Sequence, residues 1–261
     1  MKIFAKLLFG LLAILVIGAV LVLGFLGYIP ALSKFLGTDK PRDLGITYTE
    51  QDRVSAREKS GIVYEELPAS TPAEMSVQRS GSKKVTNSWT SEEVTALLNN
   101  RPYKYWPITD VQIKLNADGT AELSGVLIKD KFVGFAAGIG VPAEAIAVFM
   151  KYLPAEPTFY VKAKASLKDN AVNEFDVQSV SLGKMPLPVT TLLAGINPIR
   201  PVYAADLLSE LSRYQNKRQI VIDFINQRLG KITGFNAKRA DFNGGKLNFD
   251  GTLSETEKTV R

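Results

Sequence analysis

An uncharged apolar run near the amino terminus constrains this chain more than any other feature. Residues 7–29 carry no charged side chain. A helix rising about 1.5 Å per residue over that run would cross the ~30 Å hydrocarbon core of a bilayer. The run exceeds the roughly 7–15 residues of a signal-peptide core, and the bulky residues Tyr28 and Ile29 do not suit a cleavage site. We therefore expect a retained signal anchor, a single transmembrane helix that ties the chain to a membrane.

The charges around the anchor bear on its orientation. Lys2 and Lys6 precede it and Lys34, Lys40 and Arg42 follow it, so the positive-inside rule gives no clear asymmetry. An anchor at the extreme N-terminus with so short a tail commonly delivers the rest of the chain across the membrane. We therefore expect a single-pass plasma-membrane protein whose C-terminal domain is extracytoplasmic.

The residue types bound the chemistry. The chain has 46% hydrophobic and 22% charged residues, close to the average of folded proteins, and it contains neither cysteine nor histidine. Disulfides, thiolate metal sites and histidine-based triads are therefore excluded. Serine–lysine chemistry stays open, but no catalytic, phosphate-binding or calcium-binding motif supports an enzyme. We expect no cofactor, no metal and no catalytic residue, and the scattered charges behind the net +6 do not predict a nucleic-acid partner.

The stretch after the anchor predicts a connector. Residues 34–85 are polar and contain several prolines, which is typical of an extended linker. One short helical segment interrupts it, because Thr49 followed by Asp52 forms a capping-box pattern that recurs at Thr90 and Glu93. The chain thus divides into a membrane anchor at 1–33, a polar linker at 34–85 and an extracytoplasmic α+β domain at 86–261.

Helical and alternating segments follow one another three times in that domain. The predicted helices are Ser91–Asn99, 142–152 and 204–229, each followed by a hairpin, and the hairpins turn at Asp118-Gly119, Asp169-Asn170 and Asn243-Gly244-Gly245. We predict an α+β fold in which an N-terminal transmembrane helix precedes three helix-plus-β-hairpin units. These units form a curved antiparallel sheet of about six strands that packs on helices and turns its charged side chains to water. The predicted water-facing residues are Lys162, Lys164, Glu174 and Asp176.

The segment 132–153 is apolar and rich in glycine. Glu144, Pro142 and three glycines disfavour a second membrane span. Two interpretations stay open: plain core, or a mobile cover over an apolar cavity that suits a hydrophobic ligand. On the second interpretation, the candidate ligand-binding residues are Phe132, Phe135, Ile139, Ile146, Phe149, Met150 and Phe224.

Three short motifs carry a resemblance to a known family. They are the helix start Thr90-Ser91-Glu92-Glu93-Val94, the strand end at residues 179–188, and the closing helix-hairpin at residues 223–251. In these motifs and in the N-terminal anchor the chain resembles the YpmS-like single-pass bacterial envelope proteins. The resemblance implies a curved sheet around a long helix, similar to tubular lipid-binding folds, and it implies no catalytic residue.

The sequence supports two functions from different classes. The first is a non-enzymatic protein that binds a lipid or lipid-linked envelope precursor in a groove between sheet and helices. The second is an envelope interaction protein with a solid core that docks a membrane-protein partner, with Tyr48, Thr49 and Asp52 as docking residues. Tight packing of Phe135 and Phe224 would favour the interaction protein, whereas an apolar cavity near residues 134–140 would favour lipid binding.

Overall fold

The computed structural model describes residues 16–141, 153–187 and 217–261 of the chain. The described helices are α1 Val16–Phe25, α2 Pro30–Leu36, α3 Glu50–Ser60, α4 Ser91–Asn99, α5 Lys129–Gly138 and α6 Lys217–Leu229. The described strands are β1 Val63–Leu67, β2 Val77–Ser80, β3 Lys83–Trp89, β4 Ile108–Leu115, β5 Thr120–Leu127, β6 Thr158–Lys168, β7 Ala171–Leu182, β8 Met185–Leu187, β9 Asn236–Asn243, β10 Lys246–Leu253 and β11 Thr256–Val260. The α+β class is therefore confirmed.

The three predicted hairpins are β4–β5, β6–β7 and β9–β10, and each is antiparallel. Their turns need left-handed backbone, which the residues at the turns supply. Asp169 and Asn170 have φ of 50° and 60°, and Gly244 and Gly245 have 61° and 72°, as two-residue turns joining twisted strands require. The predicted helix at 142–152 and the first part of the one at 204–229 lie outside the described residues.

The hairpins join in one eight-stranded sheet, in which β3 and β8 add to the six hairpin strands. Strand β6 is its centre. One edge of β6 pairs with β7 along its whole length, whereas the other edge pairs with β5 over Thr158–Lys164 and with β9 over Ser166–Lys168. The sheet therefore forks at this edge, where the β4–β5 hairpin and the β9–β10 hairpin diverge.

The main core lies between one face of the sheet and helices α3 and α4. Its buried members are Ala56, Val85, Trp89, Ala237 and Phe249. The Trp89 indole N–H donates to the Ala56 carbonyl at 3.1 Å, which satisfies the one polar group of that ring in the core. This contact ties α3, and with it the segment before the predicted domain, to the sheet.

Helix α4 also closes the outer edge of the sheet. Ser91, Thr95 and Asn99 lie four residues apart and therefore share one face of α4. Their side-chain oxygens accept the backbone N–H groups of Leu115, Ile113 and Val111 on β4, at 3.0, 3.0 and 2.9 Å. The helix thus supplies the hydrogen bonds that a neighbouring strand would make and covers an edge that would otherwise pair with another chain.

The structure corrects the prediction of a polar linker at 34–85. That stretch contains α3, β1, β2 and the start of β3. Strand β1 pairs parallel with the C-terminal strand β11, and β2 pairs with the other edge of β11, giving a second, three-stranded sheet. The linker interpretation missed these strands because each is short and largely polar by itself, and its partner β11 lies between 176 and 193 residues away in sequence, beyond the reach of any local pattern.

Among the described residues, no single helix has the length and hydropathy of a membrane span. Helices α1 and α2 reach that length and hydropathy only as a pair, bent by 77°. The predicted transmembrane run begins at residue 7, and its first part lies outside the described residues.

Candidate functional site

Helix α5 carries the first two predicted ligand-binding residues, Phe132 and Phe135, and both pack against aromatic rings. The ring centroid of Phe135 lies 5.6 Å from that of Trp106, 6.4 Å from that of Tyr103 and 6.2 Å from that of Phe132. Gly134 lies directly against the Tyr105 ring, so closely that a Cβ there would overlap it. The side of α5 that carries Phe135 and Gly134 is therefore filled by the aromatic segment 103–106.

Ile139 and Phe224 belong to a different surface, between the end of α5 and α6. They are 39% and 46% exposed. Arg228 of α6 joins the two helices, because its guanidinium donates to the carbonyls of Ile139 and Gly140 at 2.9 and 2.8 Å and lies 5.0 Å over the Phe224 ring. The other predicted residues, Ile146, Phe149 and Met150, lie outside the described residues.

The predicted docking residues are used within the fold. The Asp52 carboxylate accepts from the backbone N–H and the hydroxyl of Thr49 at 2.7 and 2.6 Å, which completes the predicted capping box of α3. These bonds hold the pKa of Asp52 below its ordinary value. The Tyr48 hydroxyl accepts from the Asn100 side chain at 3.3 Å, so the polar groups of all three residues already have partners.

A cleft lined by described residues lies at the fork of the sheet. It has a volume of about 710 Å³ and is bordered by the β4–β5 turn, β6, β7 and β9. Four basic and five acidic side chains line it, among them the pairs Lys164–Glu174 at 3.1 Å and Lys238–Asp250 at 3.7 Å. A cleft of such charge is unsuited to an acyl chain, because burying its ion pairs in hydrocarbon would be costly.

The cleft belongs to a continuous polar face of the sheet. Its central row runs across five paired strands through Ser88, Asn248, Asp241, Ser166 and Glu174. Asp241 accepts from the Asn248 amide at 3.0 Å and forms an ion pair with Arg239. A second cleft, lined by Thr86, Ser88 and Asp250 among others, continues this face toward β3. We call this surface, from β3 to β7, the polar sheet face.

The opposite end of that face, near the start of β6, is covered by residues 38–46. We call this segment the strap. The Thr158 hydroxyl donates to the Thr38 carbonyl at 2.9 Å, and Arg42 lies 3.7 Å over the Tyr160 ring. The backbone N–H of Leu44 donates to the Gln112 side chain at 2.7 Å. The strap therefore binds strands β4 and β6 of the sheet.

Beneath the strap, the buried Tyr160 and the partly buried Glu122 form a polar pair. The Tyr160 hydroxyl donates to the Glu122 carboxylate at 2.8 Å. Burial raises the pKa of Glu122, but the hydrogen bonds from Tyr160 and Asn116 outweigh it, so the pKa of that carboxyl lies below its ordinary value. Burial raises the pKa of Tyr160, and the bond to Glu122 raises it further. The pair is therefore a carboxylate and a neutral phenol at neutral pH.

The strap also leads back to the apolar N-terminal helices. The hydroxyls of Ser33 and Thr38 both donate to the Gly24 carbonyl, at 2.7 and 3.1 Å. Gly24 lies so close to Leu32 that a Cβ would overlap that side chain. On the other side of the junction, the Lys184 ammonium donates to the Leu36 carbonyl at 3.3 Å. The end of α1, helix α2 and the sheet are thus joined by direct hydrogen bonds.

No family model, no curated protein and no solved structure matches the chain. Within the described part of the chain, no group of three or more acidic side chains is placed to hold a metal ion.

Sequence reasoning missed the aromatic segment 103–106, the polar sheet face and the strap. The first two had a partial signal. Three aromatics within four residues, immediately before a strand, favour packing against a nearby apolar helix. Lys164 and Glu174 were placed correctly on the polar side, but the addition of Arg239 and Asp241 to the same face required the β6–β9 pairing, which no local pattern contains.

Proposed function

We propose that this chain is a single-pass membrane-anchored interaction protein, an envelope scaffold whose folded body docks a membrane-protein partner through the polar sheet face. The anchor is the apolar run 7–29, and the body lies outside the cytoplasm. The resemblance to the YpmS-like proteins is consistent with an anchored envelope protein. Membership of that family is part of this proposal. The chain performs no catalysis in this account.

The packing of α5 is the observation that favours a scaffold over a lipid-binding protein. A groove beneath α5 would need open apolar space next to Gly134 and Phe135. That space is occupied by the rings of Tyr103, Tyr105 and Trp106. Ala136 and Ala137 on the same helix are 2% and 5% exposed, so α5 packs as part of a core.

The polar sheet face is the proposed docking surface because it is open and carries charges of both signs. Lys168 and Asn173 are exposed at its rim, and Lys168 forms no ion pair among the described residues. Complementary charges on a partner would steer the encounter and fix its register. The surface around Tyr48, Thr49 and Asp52 offers less, since the polar groups of these residues are already bonded.

Site-specific photocrosslinking in native membranes tests this proposal. The chain contains no cysteine, so Lys168→Cys can carry a single benzophenone on the polar sheet face. Val63→Cys, at a position 58% exposed on the second sheet, serves as the matched control. We expect a discrete crosslinked membrane protein from position 168 and not from position 63. Equal crosslinking from both positions, or none from position 168, would refute the docking surface.

A hydrophobic ligand is the second candidate, favoured by the exposed Ile139 and Phe224 on either side of Arg228. A lipid or lipid-linked precursor bound there would cover both side chains and place a headgroup near the guanidinium. Native mass spectrometry of the full-length protein in nanodiscs, followed by lipid extraction, separates the candidates. A stoichiometric lipid retained by the wild type and lost from Phe224→Asp would establish this candidate and displace the scaffold. Absence of retained lipid would favour the scaffold.

A further inference from the structure

The exposed face of helix α2 points to a second contact with the membrane. Phe35 is 85% exposed, more than any other large hydrophobic residue in the described part of the chain. Ala31, Lys34 and Phe35 are exposed or half-exposed, whereas Ser33 is 2% exposed and faces Gly24. Helix α2 therefore has a buried side toward α1 and an open side that combines an aromatic ring with a lysine.

The bend between α1 and α2 determines the depth at which the exposed side of α2 lies relative to the bilayer. Helix α2 makes an angle of 77° with α1. Its seven residues extend about 10 Å, so along the axis of α1 its far end advances by only about 2 Å. When α1 stands upright in a bilayer, α2 lies nearly in the membrane plane, at the level where α1 ends. The headgroup region on each side of the hydrocarbon core is roughly 5–8 Å thick, so α2 stays within it.

The chemistry of the exposed residues suits that depth. Transfer of a phenylalanine side chain from water to the boundary between headgroups and acyl chains lowers the free energy. A lysine side chain can extend its ammonium toward lipid phosphates. Lys184, at the β7–β8 turn, is exposed and lies against the end of α2 through its bond to the Leu36 carbonyl. Lys34 thus precedes Phe35 on α2, and the Lys184 ammonium lies at the carbonyl of the next residue, Leu36.

We propose that α2 is an interfacial helix that inserts Phe35 among the lipid headgroups, with Lys34 and Lys184 on lipid phosphates, and that it thereby seats the body on the bilayer. The inference rests on the proposed anchoring by residues 7–29. The occupant of this face is the same bilayer that holds α1, because the face is continuous with the anchor and its charge is opposite to that of phosphate.

Electron paramagnetic resonance of single-cysteine variants of the full-length chain in nanodiscs tests it. Each variant carries one nitroxide: Val20→Cys on α1, Ala31→Cys on the exposed face of α2, or Val63→Cys on the second sheet. Oxygen concentrates in the bilayer and nickel-EDDA in water. We expect the label at position 31 to be at least fivefold less accessible to nickel-EDDA than the label at position 63. Phe35→Asp in the Ala31→Cys background should raise its accessibility toward that of position 63.

Three results count against the inference, and each refutes a different part of it. If position 20 is shielded from nickel-EDDA but position 31 is as accessible as position 63, the anchor stands and the interfacial helix is refuted. If position 20 is itself accessible, the anchoring fails and the interfacial helix fails with it. Lipid-like shielding at position 31 that is unchanged by Phe35→Asp would also refute the role of Phe35.

Discussion

Glu93 joins the two helices of the core, and its replacement by glutamine tests how much a single buried carboxylate contributes. The Glu93 side chain is 6% exposed and accepts from the Lys59 ammonium at 2.6 and 2.7 Å, and from the Ser55 hydroxyl at 2.5 Å. It also accepts the Thr90 N–H at 2.9 Å in the capping box of α4. Glutamine can keep this last bond. Glu93→Gln therefore removes the charge while it retains the cap.

The expected loss follows from the partners. A hydrogen bond to a charged group contributes about 1.5–3 kcal/mol, and removing one member of a buried ion pair costs about 3–5 kcal/mol. The Lys59 side chain is 33% exposed and regains hydration when its partner is neutral. We therefore expect Glu93→Gln to lower the free energy of unfolding by about 2 kcal/mol.

Urea denaturation of the full-length protein in mild detergent, followed by tryptophan fluorescence, measures this loss. Trp89 is 5% exposed and bonded to Ala56 of α3, so its emission reports on the docking of that helix. Glu92→Gln is the matched control, since Glu92 has no ion pair or side-chain hydrogen bond within the described structure. A loss for Glu93→Gln equal to that of the control would refute the reasoning.

The same pair predicts a pH dependence. Burial raises the pKa of Glu93, but the bonds from Lys59, Ser55 and the Thr90 N–H outweigh it, so its pKa lies below the ordinary value of 4.5. A lowered folded-state pKa means that the stabilisation is present above pH 4.5 and is lost as the pH falls through the folded-state value. The difference between wild type and Glu93→Gln should therefore be constant near neutrality and shrink below pH 4.5. A difference that grows toward acid would contradict this assignment.

Two further substitutions probe α5 and the strap. Ala136→Trp places a large side chain at a position 2% exposed and should lower the free energy of unfolding by about 1–3 kcal/mol through overpacking; a stable variant in the urea assay would mean that open space lies there. Thr158→Val removes the donor to the Thr38 carbonyl and should cost about 1 kcal/mol locally, measured as faster tryptic cleavage after Arg42, since Pro41 protects the bond after Lys40. Thr86→Val, at the far end of the polar sheet face, should leave that cleavage rate unchanged.

The hairpins and caps were predictable because they are local. Asp169-Asn170 and Gly244-Gly245 specify their turns, and Thr49 with Asp52 and Thr90 with Glu93 start their helices as their spacing indicated. The features that the sequence concealed are non-local. Strand β1 finds its partner in the C-terminal strand, and the polar residues of α4 replace a strand at the edge of β4.

The candidate site residues also depend on contacts that are non-local in sequence. The apolar composition of α5 indicated burial or a ligand equally well, and only the position of the aromatic segment 103–106 distinguishes them. Ile139 and Phe224 lie far apart in sequence, and their neighbourhood depends on the two bonds that Arg228 makes across the helices. The pattern of apolar residues in either helix therefore does not predict that contact.

The folded body is proposed to be fixed to its membrane anchor, and a distance measurement between two spin labels tests this claim most directly. Val20→Cys on α1 and Gln178→Cys on β7 would be labelled together in the full-length protein in nanodiscs, with Val63→Cys and Gln178→Cys as the pair within the body. We predict a single distance distribution for the first pair, as narrow as that of the second. A flexible linker over residues 34–85 would have an end-to-end distance of roughly 40 Å, so a distribution spread over tens of ångströms would contradict the account.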